Sequence, residues 1–321
     1  VYKWIGKGDK NAADAAATDA FRGMLNLMNI RGTCTIGEGI KDEAPGIFVG
    51  EKLGTWAEGA PAVSIAVDPI DGTTLTSKGL PGAVSVIAAA RTPAPDERAL
   101  AAVPSVYMEK LSVGPKVVEG TGTIRLDARV EQNLELIALK LGKRVRDLVV
   151  CLLDRPRHEQ LIAQIRRTGA AIRLIGDGDI AGALAPAMPE SGVDVYMGVG
   201  GSPEAVLAAA AMRSLGGEIL ARIWPRDEKE RARLHELGYD EEKIARVYTS
   251  ADMAQGEEII FVATGITDSA LLRGVRINGM TARTHSVIMR SRSRTVRYVT
   301  AFHDLTRKTI RLHSEAGETR L

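Results

Sequence analysis

Val63-Ser64-Ile65-Ala66-Val67-Asp68-Pro69-Ile70-Asp71-Gly72-Thr73-Thr74 is the stretch from which both fold and chemistry can be read. The apolar, β-branched run 62–67 predicts a buried strand. A strand that stops at Asp68 delivers a carboxylate to the edge of a sheet. Pro69 fixes the backbone, Asp71 follows three residues later on the same turn, and Gly72 permits tight geometry. Thr73 and Thr74 can then open a helix whose first N–H groups face an anion. Two carboxylates held about a turn apart repel each other unless a cation sits between them, and hard divalent metals prefer such oxygen ligands. A plain Asx-type turn with a helix cap is the bland alternative. The full heptapeptide after a buried strand favours the metal.

Other acids share this strand-end context. Glu38 lies in Gly37-Glu38-Gly39 after a predicted strand at 33–36, where flanking glycines let a ligand approach closely; a reverse turn is the alternative. Glu204 follows Gly200-Gly201-Ser202-Pro203 and begins a predicted helix, where it could equally complement the helix dipole. Asp14, with Lys10, sits near the start of the first predicted helix and alone would read as a surface residue. The weight of these acids comes from their coincidence in one chain.

Basic and polar groups could hold an anion beside them. Arg155-Pro156-Arg157-His158 ends a predicted strand and starts a helix, so two guanidiniums can reach toward a phosphate. Gly176-Asp177-Gly178-Asp179 is similarly placed and could hydrogen-bond sugar hydroxyls. Loop charges and a glycine turn are the plain readings of these two segments. Tyr107, beside Glu109 and Lys110, is either a ligand-facing or a core tyrosine. Arg290-Ser291-Arg292-Ser293-Arg294 could bind a second anion, but a solvated loop is favoured.

The rest of the pattern gives the frame. A helix is predicted over 11–29, strands at 83–89 and 106–113, and a Pro- and Ala-rich loop over 91–104. The second half alternates strand 148–153, helix 157–168, strand 171–175, helix 180–188, strand 193–197 and helix 203–215. The charged segment 224–243 reads as a solvated helical excursion, and strands at 259–263, 286–289 and 295–301 close the chain. That succession predicts a layered α/β architecture. The expected division is an N-terminal metal-binding half, 1–145, and a C-terminal sugar-phosphate-binding half, 146–321, packed as one catalytic unit.

The chain has 321 residues, 45% hydrophobic, enough for a substantial core; aromatics are only 4%, so small side chains must fill closely spaced layers. With 42 basic and 40 acidic residues the net charge is +2, so no overall field draws the chain to nucleic acid or membrane. Cys34 and Cys151 fall in apolar stretches and read as buried thiols. No apolar run reaches the length of a membrane span and no leader pattern opens the chain, so a cytoplasmic location is expected. The start at Val1 without a methionine suggests that residues precede it.

Asp68–Thr74 resembles the metal-binding signature of the lithium-sensitive phosphatase superfamily, which includes inositol monophosphatases and fructose bisphosphatases. The surrounding text narrows the likeness. Gly8-Asp9-Lys10-Asn11-Ala12-Ala13-Asp14, Gly37-Glu38-Gly39 with Asp42-Glu43-Ala44-Pro45, Arg155–His158, Asp177–Asp179 and Gly200–Glu204 together are similar to bacterial class II fructose-1,6-bisphosphatases. The resemblance runs from about Gly8 to His303. It implies an α-β-α-β-α sandwich and hydrolysis of the 1-phosphate of fructose 1,6-bisphosphate, a gluconeogenic step, with two or more Mg²⁺ or Mn²⁺ ions.

Carried over motif by motif, the metal ligands would be Asp14, Glu38, Asp68, Asp71 and Glu204. Substrate contacts would be Lys10, Asp71, Gly72, Thr73, Tyr107, Arg155, Pro156, Arg157, Asp177, Gly178, Asp179 and Gly201. Thr73, Asp14 and Glu38 would be the catalytic groups. Asp14 would accept a hydrogen bond from Thr73, whose hydroxyl orients the attacking water. The resemblance also implies a homodimer or homotetramer. Sedoheptulose 1,7-bisphosphate is the alternative substrate. Inositol-phosphate relatives usually carry a Trp-Asp-x-Ala type motif where Gly200–Glu204 stands here, and a silent sugar-phosphate sensor would have lost one of the acids. The loop 91–104 and the tail after Lys308 depart from the family pattern.

Overall fold

Two mixed sheets carry the fold in the computed structural model, which describes residues 1–37, 46–307, 312–314 and 317–319. The chain first lays down β1 (Arg31–Ile36), β2 (Lys52–Leu53), β3 (Ala62–Asp71) and β4 (Val84–Arg91). It then builds β5 (Tyr107–Val113), β6 (Val149–Leu153), β7 (Ala171–Ile175), β8 (Val195–Gly201), β9 (Glu218–Ile223) and β10 (Val247–Tyr248). It closes with β11 (Ile259–Gly265), β12 (Arg276–Asn278), β13 (Thr281–Arg290) and β14 (Thr295–Asp304). The early and late strands form one sheet, in the order β12-β13-β11-β4-β3-β1-β2 with β14 on β13; the middle strands form the other, in the order β10-β9-β5-β8-β6-β7. A separate hairpin pairs Leu312–Ser314 with Gly317–Thr319.

The helices that position the site are α1 (Lys10–Leu25), α2 (Thr73–Lys78), α3 (Pro115–Val118), α4 (Val130–Leu141), α5 (Glu159–Thr168), α6 (Asp179–Leu184), α7 (Ser202–Leu215) and α8 (Glu228–Glu236). Helix α7 is buried on all sides, as a helix apolar all round must be. Ala205 through Met212 are each fully buried, between Val84, Val86 and Ala88 of the first sheet and Met108, Ile219 and Ala221 of the second. The scarcity of aromatics has its physical use here, because methyl groups let one helix fit between two sheets. On the outer face of the first sheet, Ala13, Ala17 and Leu75 of α1 and α2 pack against Ile70 and Ala83. On the outer face of the second, Leu134, Ile137 and Ile165 of α4 and α5 cover Val150 and Leu152. The layers therefore run α-β-α-β-α.

Local departures from the sequence expectations have identifiable causes. The first helix stops at Leu25, although apolar spacing continues to Leu27 and Met28; those side chains face solvent, so the pattern outruns the helix. The strand expected to end at residue 67 continues to Asp71 through an irregularity in its pairing with β4. The charged segment 224–243 is not simply solvated, since Leu234 of α8 is fully buried. Helix α4 and strand β9 are elements the pattern did not separate. Both cysteines are buried and free. Among the described residues no helix is long and apolar enough to cross a membrane.

Candidate active site

The end of β3 brings two acids to one face. Asp68 pairs with Val86 and Asp71 with Val84, so three steps along β3 match two along β4. Residues three apart in a regular strand point to opposite faces. The extra residue cancels that alternation, and Pro69 suits the irregularity because it has no N–H to give the ladder. Both acids are buried, and Asp68 is fixed locally by a 3.1 Å hydrogen bond from the Ile70 N–H. Asp71 accepts a 3.0 Å hydrogen bond from the Ile180 N–H of α6, which ties the first sheet to the middle layer.

Gly72 then turns the chain into α2 with a φ of 97°, a left-handed conformation that L side chains avoid. Thr73 becomes the first residue of α2, and Lys10 Nζ donates to Thr74 Oγ1 at 2.7 Å. Asp14 lies one turn after Lys10 on α1. Its Oδ1 is sealed from solvent and has no hydrogen-bond partner among the described residues. Burial pushes its pKa up to about 6, against the pull of Lys10. No hydrogen bond joins Asp14 to Thr73 in the structure.

A cavity of about 750 Å³ opens where the two sheets meet. Of the residues picked out by sequence, Asp71, Tyr107, Arg155, Arg157, Asp177, Asp179, Gly201 and Glu204 line it together. Lys10, Asp14, Asp68, Gly72, Thr73, Pro156 and Gly178 are not among its lining. Glu38, with the rest of 38–45, lies outside the described residues; Gly37, immediately before it, lines the cavity.

The acids there repel one another. Burial, then the charges of Glu204, Asp179 and Asp177, raise the pKa of Asp71 well above the usual carboxylate range. Burial also raises that of Glu204, with Lys110 pulling the other way. Glu204 Oε2 is sealed and lacks a hydrogen-bond partner among the described residues. A buried carboxylate oxygen without a partner is costly unless a cation completes it. Among the described residues no three His, Cys, Asp or Glu side chains converge closely enough to grip a metal ion together.

Asp179 behaves differently. Lys110, fully buried on β5, donates to its Oδ2 at 2.5 Å, and Tyr196 donates to its Oδ1. The arginines are braced on the backbone. Arg155 Nη1 donates to Gly176 O at 2.7 Å, with Asp177 3.8 Å away. Arg157 donates to Val199 O through Nε and Nη2, at 3.1 and 2.8 Å, and its guanidinium sits 4.8 Å from the Tyr107 ring. A guanidinium has five donors, so both retain N–H groups for a ligand. His158 is buried and clamps β6 to β8: Nδ1 meets Leu153 O and Nε2 accepts from the Val199 N–H, each at 2.7 Å. Burial lowers its pKa, which fits that neutral, structural role.

Sequence reasoning missed Lys110, Tyr196, Ser105 and Arg233. For Lys110 a signal existed, because it shares the inward alternation of Met108 and Ser112 on β5.

Comparison with known proteins supplies an independent line. The family model described as "Bacterial fructose-1,6-bisphosphatase, glpX-encoded" matches residues 1–303. The chain is 43% identical over 318 residues to the "Fructose-1,6-bisphosphatase class 2" of Haemophilus influenzae, covering 95% of this chain and 92% of that protein. It is 42% identical over 320 residues to the "Fructose-1,6-bisphosphatase 1 class 2" of Escherichia coli K12, covering 96% of this chain and 91% of that protein.

Proposed function

The chain belongs to the family of bacterial, glpX-encoded fructose-1,6-bisphosphatases, and from that premise we propose that it hydrolyses fructose 1,6-bisphosphate to fructose 6-phosphate and orthophosphate. Water attacks the phosphorus of the 1-phosphate, the bond from phosphorus to the sugar oxygen breaks, and that oxygen takes up a proton. The observation that carries the reading is Glu204 Oε2, unpartnered among the described residues and set near Asp71 in a cavity that Arg155 and Arg157 also line.

The donor set fits divalent cations. All the acids are hard oxygen donors, and Asp14 Oδ1 and Glu204 Oε2 are buried without partners among the described residues. We assign Asp14, Asp68, Asp71 and Glu204, with Glu38 beyond the described residues, to hold two or more Mg²⁺ or Mn²⁺ ions. When bound, these ions supply charge neutralisation for the phosphoryl group and a more acidic water.

The chain's own groups do the rest. Arg155 and Arg157 bind phosphate, with Pro156 holding them apart. Tyr107 orients the sugar, and Asp177, Gly178 and Asp179 face its hydroxyls. Lys10, Gly72 and Gly201 complete the contacts. Thr73 positions the attacking water and Asp14 accepts from its hydroxyl; that bond is open here, and catalytic hydrogen bonds often tighten only around substrate. Residues of both halves, 1–145 and 146–321, line the cavity, which supports treating them as one catalytic unit. The family reading also supports a cytoplasmic homodimer or homotetramer, testable by light scattering and cell fractionation.

The direct test measures phosphate release from fructose 1,6-bisphosphate, sedoheptulose 1,7-bisphosphate and inositol 1-phosphate, with Mg²⁺, Mn²⁺ or chelator. Fructose 1,6-bisphosphate should be turned over fastest, and chelator should abolish release. No orthophosphate from it under saturating Mn²⁺ would end the reading; turnover indifferent to chelator would remove the metals from it.

A further inference from the structure

We propose that Arg233 of α8 binds the phosphate that does not react, and thereby sets the preference for a sugar bisphosphate over a monophosphate. This rests on the bisphosphatase reading above. Two phosphates must be held in one cavity, and each carries close to two negative charges. Asp71, Asp177 and Glu204 on the cavity wall repel them unless cations intervene. The second phosphate therefore needs a positive group of its own.

Among the described residues three arginines line the cavity: Arg155, Arg157 and Arg233. Arg155 and Arg157 already spend part of their donors on Gly176 O and Val199 O. The Arg233 guanidinium has no hydrogen bond or ion pair among the described residues. Its neighbours do: Arg231 meets Glu241 at 2.6 Å and Arg226 meets Glu230 at 3.0 Å. An exposed arginine left unpaired in so charged a segment, and facing the cavity, is available to an anion.

Its placement is built into the fold. Asp227 caps α8 by accepting from the Glu230 N–H at 2.8 Å. Glu230 reaches to the cavity wall, accepting from the Val106 N–H at 2.8 Å and from Ser105 Oγ at 3.2 Å. Ser105 O accepts in turn from Ser202 Oγ, two residues before Glu204. Arg233 follows Glu230 by three residues, hence on the same side of the helix. The contact that bolts α8 to the wall thus also carries Arg233 over the cavity. Full burial of Leu234, four residues after Glu230, pins the same side of the helix against the core.

The test compares wild type, Arg233→Ala and Arg233→Lys with fructose 1,6-bisphosphate and with fructose 1-phosphate, which lacks the second phosphate. For Arg233→Ala, KM for the bisphosphate should rise about 10- to 100-fold, the worth of a lost charge-assisted contact, with kcat within about twofold. Its kcat/KM for fructose 1-phosphate should stay at the wild-type value, and Arg233→Lys should recover part of the loss. Equal loss on both substrates, or no change on either, would overturn the proposal. Calorimetric titration with fructose 6-phosphate judges Arg233 without turnover. Binding should weaken about tenfold in Arg233→Ala, and unweakened binding would overturn the assignment. Failure of the wild type to hydrolyse either ester would instead strike the bisphosphatase reading, and the titration would still decide on Arg233.

Discussion

Gly200 and Gly201 stand side by side at the end of β8, and each makes room for a carboxylate. A Cβ on Gly200 would fall 1.9 Å from Asp179 Oδ2, and one on Gly201 would fall 1.8 Å from Glu204 Oε2. The two acids are then treated in opposite ways. Asp179 is saturated, one oxygen on Lys110 and the other on Tyr196. Glu204 keeps a sealed oxygen with no partner among the described residues. Withdrawal from solvent does not by itself separate an acid that holds the fold from one kept for chemistry. The number of donors each has been given does: Asp179 is tied by Lys110 and Tyr196, and the sealed oxygen of Glu204 has no such tie among the described residues.

The largest test of this contrast is Lys110→Met. It leaves Asp179 buried without its cation and should cost about 3–5 kcal/mol of stability in urea unfolding. A loss below about 1 kcal/mol would mean that Asp179 is not held as described. Next comes Glu204→Gln, which should reduce kcat by at least about 10- to 100-fold, the cost of disturbing even the outer partners of metal ligands, because Glu204 is assigned to hold the ions directly. The urea midpoint of the metal-free variant should stay level or rise, because the amide no longer carries the charge that burial penalises. Near-normal turnover, or a fall in midpoint alongside lost activity, would put Glu204 in the same class as Asp179.

The smallest effect concerns Glu230, a second saturated acid. Burial pushes its pKa up, but hydrogen bonds from Val106, Arg226 and Ser105 outweigh this and hold it below the usual glutamate value. A depressed folded-state pKa gives stability that is present above the unfolded value and lost as pH falls through the folded one. Wild type should therefore lose stability, as pH falls through and below the ordinary glutamate range near about 4.3, that Glu230→Gln does not lose. Parallel urea midpoints for the two proteins across that window would show that those hydrogen bonds contribute nothing to the fold.

Much of the site is legible in the sequence where its cause is local. Strand, proline, acid and glycine act within a few residues at Asp68–Thr74, so the turn and the start of α2 can be read there. Arg155 and Arg157, Asp177 and Asp179, and Gly201 and Glu204 each stand at or just past the end of a strand, and strand ends are where a layered fold puts its ligands. The irregularity at Pro69 is not legible, because it is a mismatch of count between β3 and β4, and β4 lies elsewhere in the chain. Nor does the sequence show that Asp179 is occupied by Lys110 and Tyr196, since three separate elements meet there. Arg233 is hidden differently: it is one cation among many in 224–243, and only the anchoring of Glu230 on Val106 singles out its direction.

The alanine run of α7 has a consequence for all these groups. Ala208, Ala209, Ala210 and Ala211 separate the two sheets by little more than a helix backbone and its methyls. A larger side chain there would act as a wedge. One sheet carries Asp71 and the other carries Gly200 and Gly201, so prying them apart would widen the mouth between them. The spacing of the reactive groups is thus gauged by the plainest residues in the chain, none of which has any chemistry of its own.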